Sequence, residues 1–430
     1  MNIGFSALQP YPFARLDHLI QDIAPPEGKR LLRMSIGEPQ HKPPRDVIKA
    51  LTENLGGVEF YPATRGTDQL RDAQARWMRS RFGLIGVEPD SHVLPVNGTK
   101  EALFAIAQAL VDSTQQNLVG VPNPFYQLYE GACLLAGAKP LYLNCTPETG
   151  FLPTPEQITP AQWPHVALIY LCSPGNPTGA VMSSDLMKRF IERAQEHDVV
   201  LVSDECYSEI YPDEAKPPTG LLACCEELGL NGYRNCLSAH SLSKRSNLPG
   251  MRSGFMAGDA DLLNRFLKYR SYHGSAMPLH HQAASVVAWS DEHHVRENRE
   301  QYRRKFSAVR EVLEEQIVLD EPAGGFFYWL RTPIDDQLFV KELYAREGVL
   351  LLPGSFLGRC TVDAHHSKQS REKHSEKSTT HRSEREQESR PDPTSNNDNP
   401  GLRRARMALV LPLEDCVDAA RRIAALMSEL

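Results

Sequence analysis

VALIYLC, residues 166–172, is an unbroken run of seven apolar residues, and SPGNPTG (173–179) follows it at once. A run of that length without polar alternation reads as a strand buried on both faces, the mark of a parallel sheet with helices on either side. A second run, VVLV (199–202), comes after an amphipathic stretch of helical period. Around these two, from about residue 93 to residue 258, short apolar segments alternate with helical ones, the pattern of successive strand-helix-strand units. The alternation predicts strands at 93–96, 117–121, 140–144, 166–172, 199–203, 236–239 and 254–257, with 166–172 and 199–202 at the sheet centre.

Towards the C-terminus the pattern changes. A long helical stretch over 280–316 precedes strand-like GGFFYWL (324–330), GVLLL (348–352) and ARMALV (405–410), with helices near 336–346 and 412–428. This predicts a smaller α+β domain with antiparallel strands. The expected division is an N-terminal arm and part of the small domain over 1–45, a large domain over 46–285 and a small C-terminal domain over 286–430. One tract stands apart: 365–399 holds no Ala, Val, Ile, Leu, Met, Phe, Trp, Tyr or Cys, with seven Lys or Arg balanced by seven Asp or Glu. Such a segment cannot build a core, so 361–400 is expected to be a polar, disordered loop insertion in the small domain. Because the tract is neutral, the net charge of -7 belongs to the rest of the chain.

That charge disfavours broad electrostatic capture of nucleic acid. No run approaches the roughly 18 apolar residues of a membrane span, and MNIGFSALQPYPFARLDHL at the start lacks the layout of a signal peptide. The nine cysteines are odd in number and form no C-x-x-C pair, which suits buried thiols in a cytoplasmic, soluble protein. His365, His366, His374 and His381 have no apolar frame to fix metal geometry, and His280, His281, His293 and His294 read as capping or surface groups. No metal is expected.

In open α/β sheets the ligand lies beyond the carboxyl ends of the strands, where this chain is rich in chemistry. NGTKEA (97–102) places Gly98, Thr99 and Lys100 at a helix start, where backbone N–H groups suit a phosphate, although Gly-Thr there is more often a plain cap. SPGNPTG fixes a turn and leaves the amide of Asn176 projecting from it. In DECY (204–207), Asp204 ends a buried strand and requires a cationic partner or a helix N-terminus to offset its desolvation, while Tyr207 shares the same crevice. HSLSKRSNLPGMRSG (240–254) gathers Ser241, Ser243, Lys244 and Arg252. Lys244, flanked by hydroxyls beside an apolar strand, is set to lose its proton and act as a nucleophile or Schiff-base amine. Each motif alone admits a bland reading. Together they supply what pyridoxal phosphate needs: a lysine for the aldehyde, a carboxylate for the ring nitrogen, and donors for phosphate and phenolate.

In this order, from SIGEP (35–39) to RMAL (406–409), the motifs resemble the class I/II aminotransferases, the fold type I pyridoxal phosphate enzymes. The resemblance implies an α/β fold, a large domain with a mostly parallel seven-stranded sheet and a smaller α+β domain. It implies that Lys244 holds the cofactor covalently and then shuttles the reacting proton, and that Asp204 keeps the ring nitrogen protonated. Asn176 and Tyr207 would bind the phenolic oxygen, and Tyr126 of NPFY (123–126) would stack on the ring. The Gly98 to Lys100 backbone, Ser241, Ser243 and Arg252 would hold the phosphate, with Tyr61 of FYPA (60–63) reaching it from the partner subunit of a homodimer. Arg406, Asn176 and Gly37 would receive the α-carboxylate of an amino acid or 2-oxo acid substrate.

Within the class, MSIGEPQH (34–41), NPFYQLYEGA (123–132), SYHGSAMP (271–278) and LLPGSFLGR (351–359) resemble the proteobacterial N-succinyldiaminopimelate aminotransferases. That implies amino transfer between N-succinyl-LL-2,6-diaminopimelate and 2-oxoglutarate, giving N-succinyl-2-amino-6-oxopimelate and glutamate, in lysine and diaminopimelate biosynthesis. The alternatives are another class I/II substrate, such as aspartate, alanine, an aromatic amino acid or N-acetylornithine, and a β-lyase, which would use the same Lys and Asp. A transcription regulator with an aminotransferase-like half is disfavoured, because only about 34 residues precede SIGEP, too few for a helix-turn-helix domain. Two departures stand out: a long interval between Asp204 and Lys244, and the 365–399 tract, which is expected to loop out without disturbing Arg406.

Overall fold

A computed structural model of the chain describes residues 2–361 and 398–430, so most of the expected insertion lies outside the described residues. After a two-residue strand β1 (Leu32–Arg33), the chain forms β2 (Val93–Val96), β3 (Leu118–Asn123), β4 (Lys139–Asn144), β5 (Val166–Cys172), β6 (Val200–Asp204), β7 (Cys236–Ser241) and β8 (Gly254–Gly258). β2 to β8 make one seven-stranded sheet in the order β2-β8-β7-β6-β5-β3-β4. Every pairing is parallel except those of β8 with its two neighbours. β6 is the middle strand and β5 lies beside it. The missing alternation in β5 has a direct cause: Ile169 and Leu171 pack into the core on one face of the sheet, Leu168, Tyr170 and Cys172 into the core on the other. The fold is the α/β arrangement expected from the sequence.

Three strands run further than their apolar residues suggest, and the extra residues matter. β3 ends at Asn123, β6 at Asp204 and β7 at Ser241, so polar groups are the last residues of the strands they terminate. The long interval between Asp204 and Lys244 contains a helix, Leu221–Glu227, which buries Leu221, Leu222, Cys224 and Cys225 in the large core.

The C-terminal part contains β9 (Phe327–Arg331), β10 (Val349–Leu350), β11 (Leu352–Pro353) and β12 (Arg404–Ala408). β11, β12 and β9 form an antiparallel sheet in that order, while β10 pairs in parallel with β1. The single strand expected over 348–352 is therefore two. Leu32 N–H donates to Gly348 O and Met34 N–H to Leu350 O, which commits the first part to the N-terminal segment; Leu352 then turns to β12. The single helix expected over 280–316 also divides, into Leu279–Ser290 and His293–Leu313. Asp291 accepts from the N–H of His293 at 2.8 Å, and that side-chain cap starts a new helix. His294 is more than a capping or surface residue: Nδ1 lies 2.5 Å from Asp291 Oδ2 and Nε2 2.8 Å from Ser246 Oγ, so it bridges the two parts.

Where the description resumes, the chain ends meet: Thr361 N–H donates to Asp398 Oδ1 at 2.6 Å and Asn399 Nδ2 to Ser355 O at 3.1 Å. All nine cysteines are free of disulfides, and seven are buried. Among the described residues no helix is long and apolar enough to cross a membrane.

Candidate active site

The carboxyl ends of β5, β6 and β7 and the start of the helix Thr99–Leu110 face β12 across a cleft of about 580 Å³. Its walls include Gly37, Thr99, Lys100, Tyr126, Asn176, Asp204, Tyr207, Ser241, Ser243, Lys244, Arg252 and Arg406, residues separated by up to 369 positions in the chain. Gly98 caps the adjoining helix. The sequence-predicted residues therefore converge, with one exception: Tyr61 is fully exposed and lines no part of its own chain's cleft.

Asp204 is placed by β6, which delivers its carboxylate into the interior. Oδ2 accepts from Tyr129 Oη at 2.7 Å and Oδ1 from the Cys206 N–H at 3.2 Å. No cation or helix N-terminus contacts it directly among the described residues, and desolvation pushes the carboxyl pKa up against the lowering effect of its hydrogen bonds and of the Lys244 charge. Neutral donors make its direct contacts. A buried carboxylate satisfied only by hydrogen bonds, facing a cleft, is half of an ion pair, and the protonated nitrogen of a pyridine ring is a cation of suitable shape to complete it.

Lys244 is the third residue of the short helix Leu242–Arg245, which Ser241 caps by accepting the Ser243 N–H at 3.1 Å. Its Nζ donates to Gly37 O at 2.6 Å and lies 5.3 Å from the centre of the Phe326 ring. Burial lowers the ammonium pKa to about 8; Cys206 opposes the shift and the positive charge of Arg406 adds to it. Gly37 is required by space: a Cβ there would lie 2.9 Å from the Phe327 ring, so a larger residue would push the accepting carbonyl away.

Arg406 comes from β12, in register between Trp329 of β9 and Leu352 of β11. Strand alternation sends Ala405 and Met407 into the small core and Arg406 into the cleft. Nη1 donates to Asn176 Oδ1 at 2.8 Å and Nη2 to Ser35 O at 2.7 Å, while the guanidinium lies 4.7 Å over Phe327. Nε has no partner among the described residues. Burial brings its pKa down to about 10, so the group stays a cation at neutral pH. A guanidinium held from behind, with donors to spare in a closed cleft, is suited to a carboxylate.

At the opposite end, Gly98 takes a φ of 81° that an L side chain avoids, and a Cβ there would collide with the Arg252 guanidinium. Arg252 itself has a φ of 47° and donates from Nη1 to Pro249 O at 2.8 Å. This brings a helix start, two serine hydroxyls and a guanidinium to one corner, a seat for a phosphate. Thr99 Oγ1 is occupied with Cys206 Sγ at 2.9 Å. Sequence reasoning missed Tyr11, Phe13, Glu38 and Cys206 in the walls, and Tyr129 behind Asp204. Tyr129 was findable, one helical turn beyond Tyr126; nothing local marks Tyr11 or Phe13. Phe327, from the aromatic run read as a packed strand, does border the cleft.

Residues 29–376 match the family described as aminotransferase class I and II. Among curated relatives, the LL-diaminopimelate aminotransferase of Natranaerobius thermophilus is 31% identical over 359 residues, 82% of this chain and 90% of that one. The 4-dedimethylamino-4-oxo-anhydrotetracycline transaminase of Streptomyces rimosus is 35% identical over 341 residues, 78% of this chain and 87% of that one. Among solved structures, an aminotransferase from Neisseria meningitidis superimposes with a TM-score of 0.87 at 39% identity, covering 99% of this chain and 100% of the other.

Proposed function

Because the chain belongs to the class I and II aminotransferases, a family that depends on pyridoxal phosphate, we propose that it moves an amino group between N-succinyl-LL-2,6-diaminopimelate and 2-oxoglutarate. The observation that carries the transaminase reading is the convergence of a deprotonable amine, Lys244, with a buried guanidinium, Arg406, in one cleft. The diaminopimelate skeleton is supported by the LL-diaminopimelate relative, and the succinyl group by the sequence motifs at 34–41, 123–132, 271–278 and 351–359.

Asp204, Tyr126, Asn176 and Tyr207 would hold the cofactor's ring, and Gly98, Thr99, Lys100, Ser241, Ser243 and Arg252 its phosphate. When bound, the cofactor supplies an aldehyde to carry the amino group and an electron-accepting ring. Arg406 receives the α-carboxylate with its unused N–H groups, while Asn176 and Ser35 fix the plane of the guanidinium. Lys244, neutral for an appreciable fraction of the time at neutral pH, takes the proton from the substrate α-carbon and returns it on the other side of the exchange. Phe326, Phe327 and Tyr207 exclude water around that amine. Both half-reactions use the same residues, one running from the amino acid and the other from the 2-oxo acid. Leu55, Val58, Phe60 and Tyr61 form an exposed apolar row, which supports a homodimer in which Tyr61 reaches the neighbouring phosphate seat. The buried free thiols suit a cytoplasmic setting.

The test is a half-reaction screen of the purified holoenzyme, following loss of the visible cofactor band with glutamate, N-succinyl-LL-diaminopimelate, free LL-diaminopimelate, N-acetylornithine, aspartate and alanine. Preference for the succinylated compound and glutamate is expected. Preference for free LL-diaminopimelate would favour the second reading, suggested by the Natranaerobius relative; preference for aspartate or alanine would overturn both.

A further inference from the structure

The helix His293–Leu313 reaches the catalytic lysine from behind. Asn298, 2% exposed, donates from Nδ2 to the carbonyls of Lys244 at 3.1 Å and Arg245 at 3.3 Å. These are the last carbonyls of the helix Leu242–Arg245, groups that a helix leaves without partners of its own. Asn298 Oδ1 accepts from His41 Nδ1 at 2.7 Å and from Asn247 Nδ2 at 3.0 Å. The other nitrogen of His41, Nε2, lies 2.7 Å from Lys305 Nζ, and that ammonium also reaches Val410 O at 3.4 Å.

The direction of each bond follows by elimination. An ammonium only donates, so Nε2 of His41 accepts. Burial draws the imidazole pKa down to about 4, so the ring is neutral at pH 7 and its one proton sits on Nδ1, pointing at Asn298. With its oxygen doubly engaged, Asn298 can offer only its NH2 to the Lys244 peptide. Lys305 is 3% exposed and has no carboxylate partner among the described residues. A buried ammonium so placed is costly as a packing element, which argues for another use. The connections also have a geometry: His41 follows four residues after Gly37, whose carbonyl accepts from Lys244 Nζ, and Val410 follows four residues after Arg406.

We propose that Asn298, oriented by His41 and Lys305, is a positioning residue that fixes the backbone of Lys244 relative to the Gly37 carbonyl and the strand bearing Arg406. This rests on the roles given above to Lys244 and Arg406. The amine is thereby aimed from its main chain as well as by its own hydrogen bond, and the lysine and the arginine keep their spacing.

Two substitutions of one residue separate positioning from packing. His41→Phe keeps a ring against Tyr302, whose centroid is 4.6 Å away, and removes the N–H; His41→Gln keeps an N–H and removes the ring. Asn298→Asp keeps the shape and removes the donors to Lys244. The readouts are kcat and KM for the amino donor, and the midpoint of the pH titration of the holoenzyme's visible band. The charged and titratable groups around Lys244, namely Cys206, Arg406, Glu38, Arg252, Asp204 and Tyr207, are untouched by the His41 changes, so a moved midpoint in those variants reports displacement of the lysine; Asn298→Asp adds a carboxylate, and its decisive readout is kcat. We expect His41→Phe and Asn298→Asp to lower kcat by about tenfold or more with KM within about twofold, and to move the midpoint, with His41→Gln recovering most of kcat. Wild-type kcat and midpoint in His41→Phe, or His41→Gln as impaired as His41→Phe, would overturn the proposal. Should Asn298→Asp fail to fold, the His41 pair decides. A wild-type protein that shows no visible band with pyridoxal phosphate would instead refute the functional reading itself.

Discussion

Mixing the cofactor-free protein with pyridoxal phosphate over a range of pH tests the burial of Lys244 directly. Only the neutral amine attacks an aldehyde. A lysine at the ordinary value of 10.5 is neutral in about one molecule in 3,000 at pH 7; at about 8, the value to which burial brings Lys244, it is neutral in about one in eleven. The reactive fraction at pH 7 is thus raised about 300-fold. The sign follows from the direction of the shift: a lowered pKa keeps the neutral form available at lower pH, so the capture rate falls about tenfold per pH unit below 8 and levels off above it. Arg406 contributes by like-charge repulsion, so Arg406→Gln moves the break upward; Glu38 acts in the opposite sense, and Glu38→Gln moves it downward. Stopped-flow growth of the visible band measures the rate, with Lys244→Ala as the blank. A rate that climbs tenfold per unit through pH 10 would show that the amine is as well hydrated as a surface lysine, and the reasoning from burial would fail.

Arg406→Lys should reduce kcat/KM about 100-fold for every α-amino acid donor, since an ammonium cannot keep the Asn176 and Ser35 contacts and also offer a planar pair of donors; half-reaction kinetics measure this. Asp204→Asn should abolish most transamination yet raise the thermal stability of the cofactor-free chain by about 1 kcal/mol, because the amide keeps a hydrogen-bonding side chain and removes a buried unpaired charge. The sign is checked by pH: the raised carboxyl pKa makes that charge an increasing burden as pH rises through it, so the gap between variant and wild type should close in mild acid, as differential scanning calorimetry would show. Deleting 365–397 should leave kcat within about twofold, since a change of loop length there costs little closure entropy and the flanking Thr361 to Asp398 contact is retained. Loss of activity in steady-state assays would show that the tract takes part in function.

The parts of the fold that could be read in the sequence are those in which one short segment carries its own physics. β5 and the first three residues of β6 announce themselves because burial on both faces leaves no polar residue there. The cleft residues of the large sheet were legible because topology places strand ends together, so each motif only had to be local. Three features were not legible, for one reason: they depend on partners far away in the chain. The N-terminal Tyr11 and Phe13 join the cleft through packing no neighbouring residue signals. The segment 348–352 divides because the N-terminal strand captures half of it. Asp204 looked to need a cation because its apolar strand was visible and the hydroxyl of Tyr129, 75 residues away, was not. The helix break at Asp291 is different: its cap is local, and the continuing hydrophobic period masked it.

The order of strands in the main sheet also bears on how the protein is made. β2 is an edge strand whose hydrogen-bonding partner is β8, Val93 opposite Ala257 and Val96 opposite Gly254. The ribosome therefore releases β2 about 160 residues before the strand that covers it, a wait of roughly 8 to 30 seconds at ordinary rates of synthesis. Throughout that interval a strand whose four residues all become buried has no partner in its final sheet. The nascent chain thus presents an open apolar edge for much of translation, a natural client surface for chaperones, and refolding from denaturant should be slow and concentration-sensitive for the same reason.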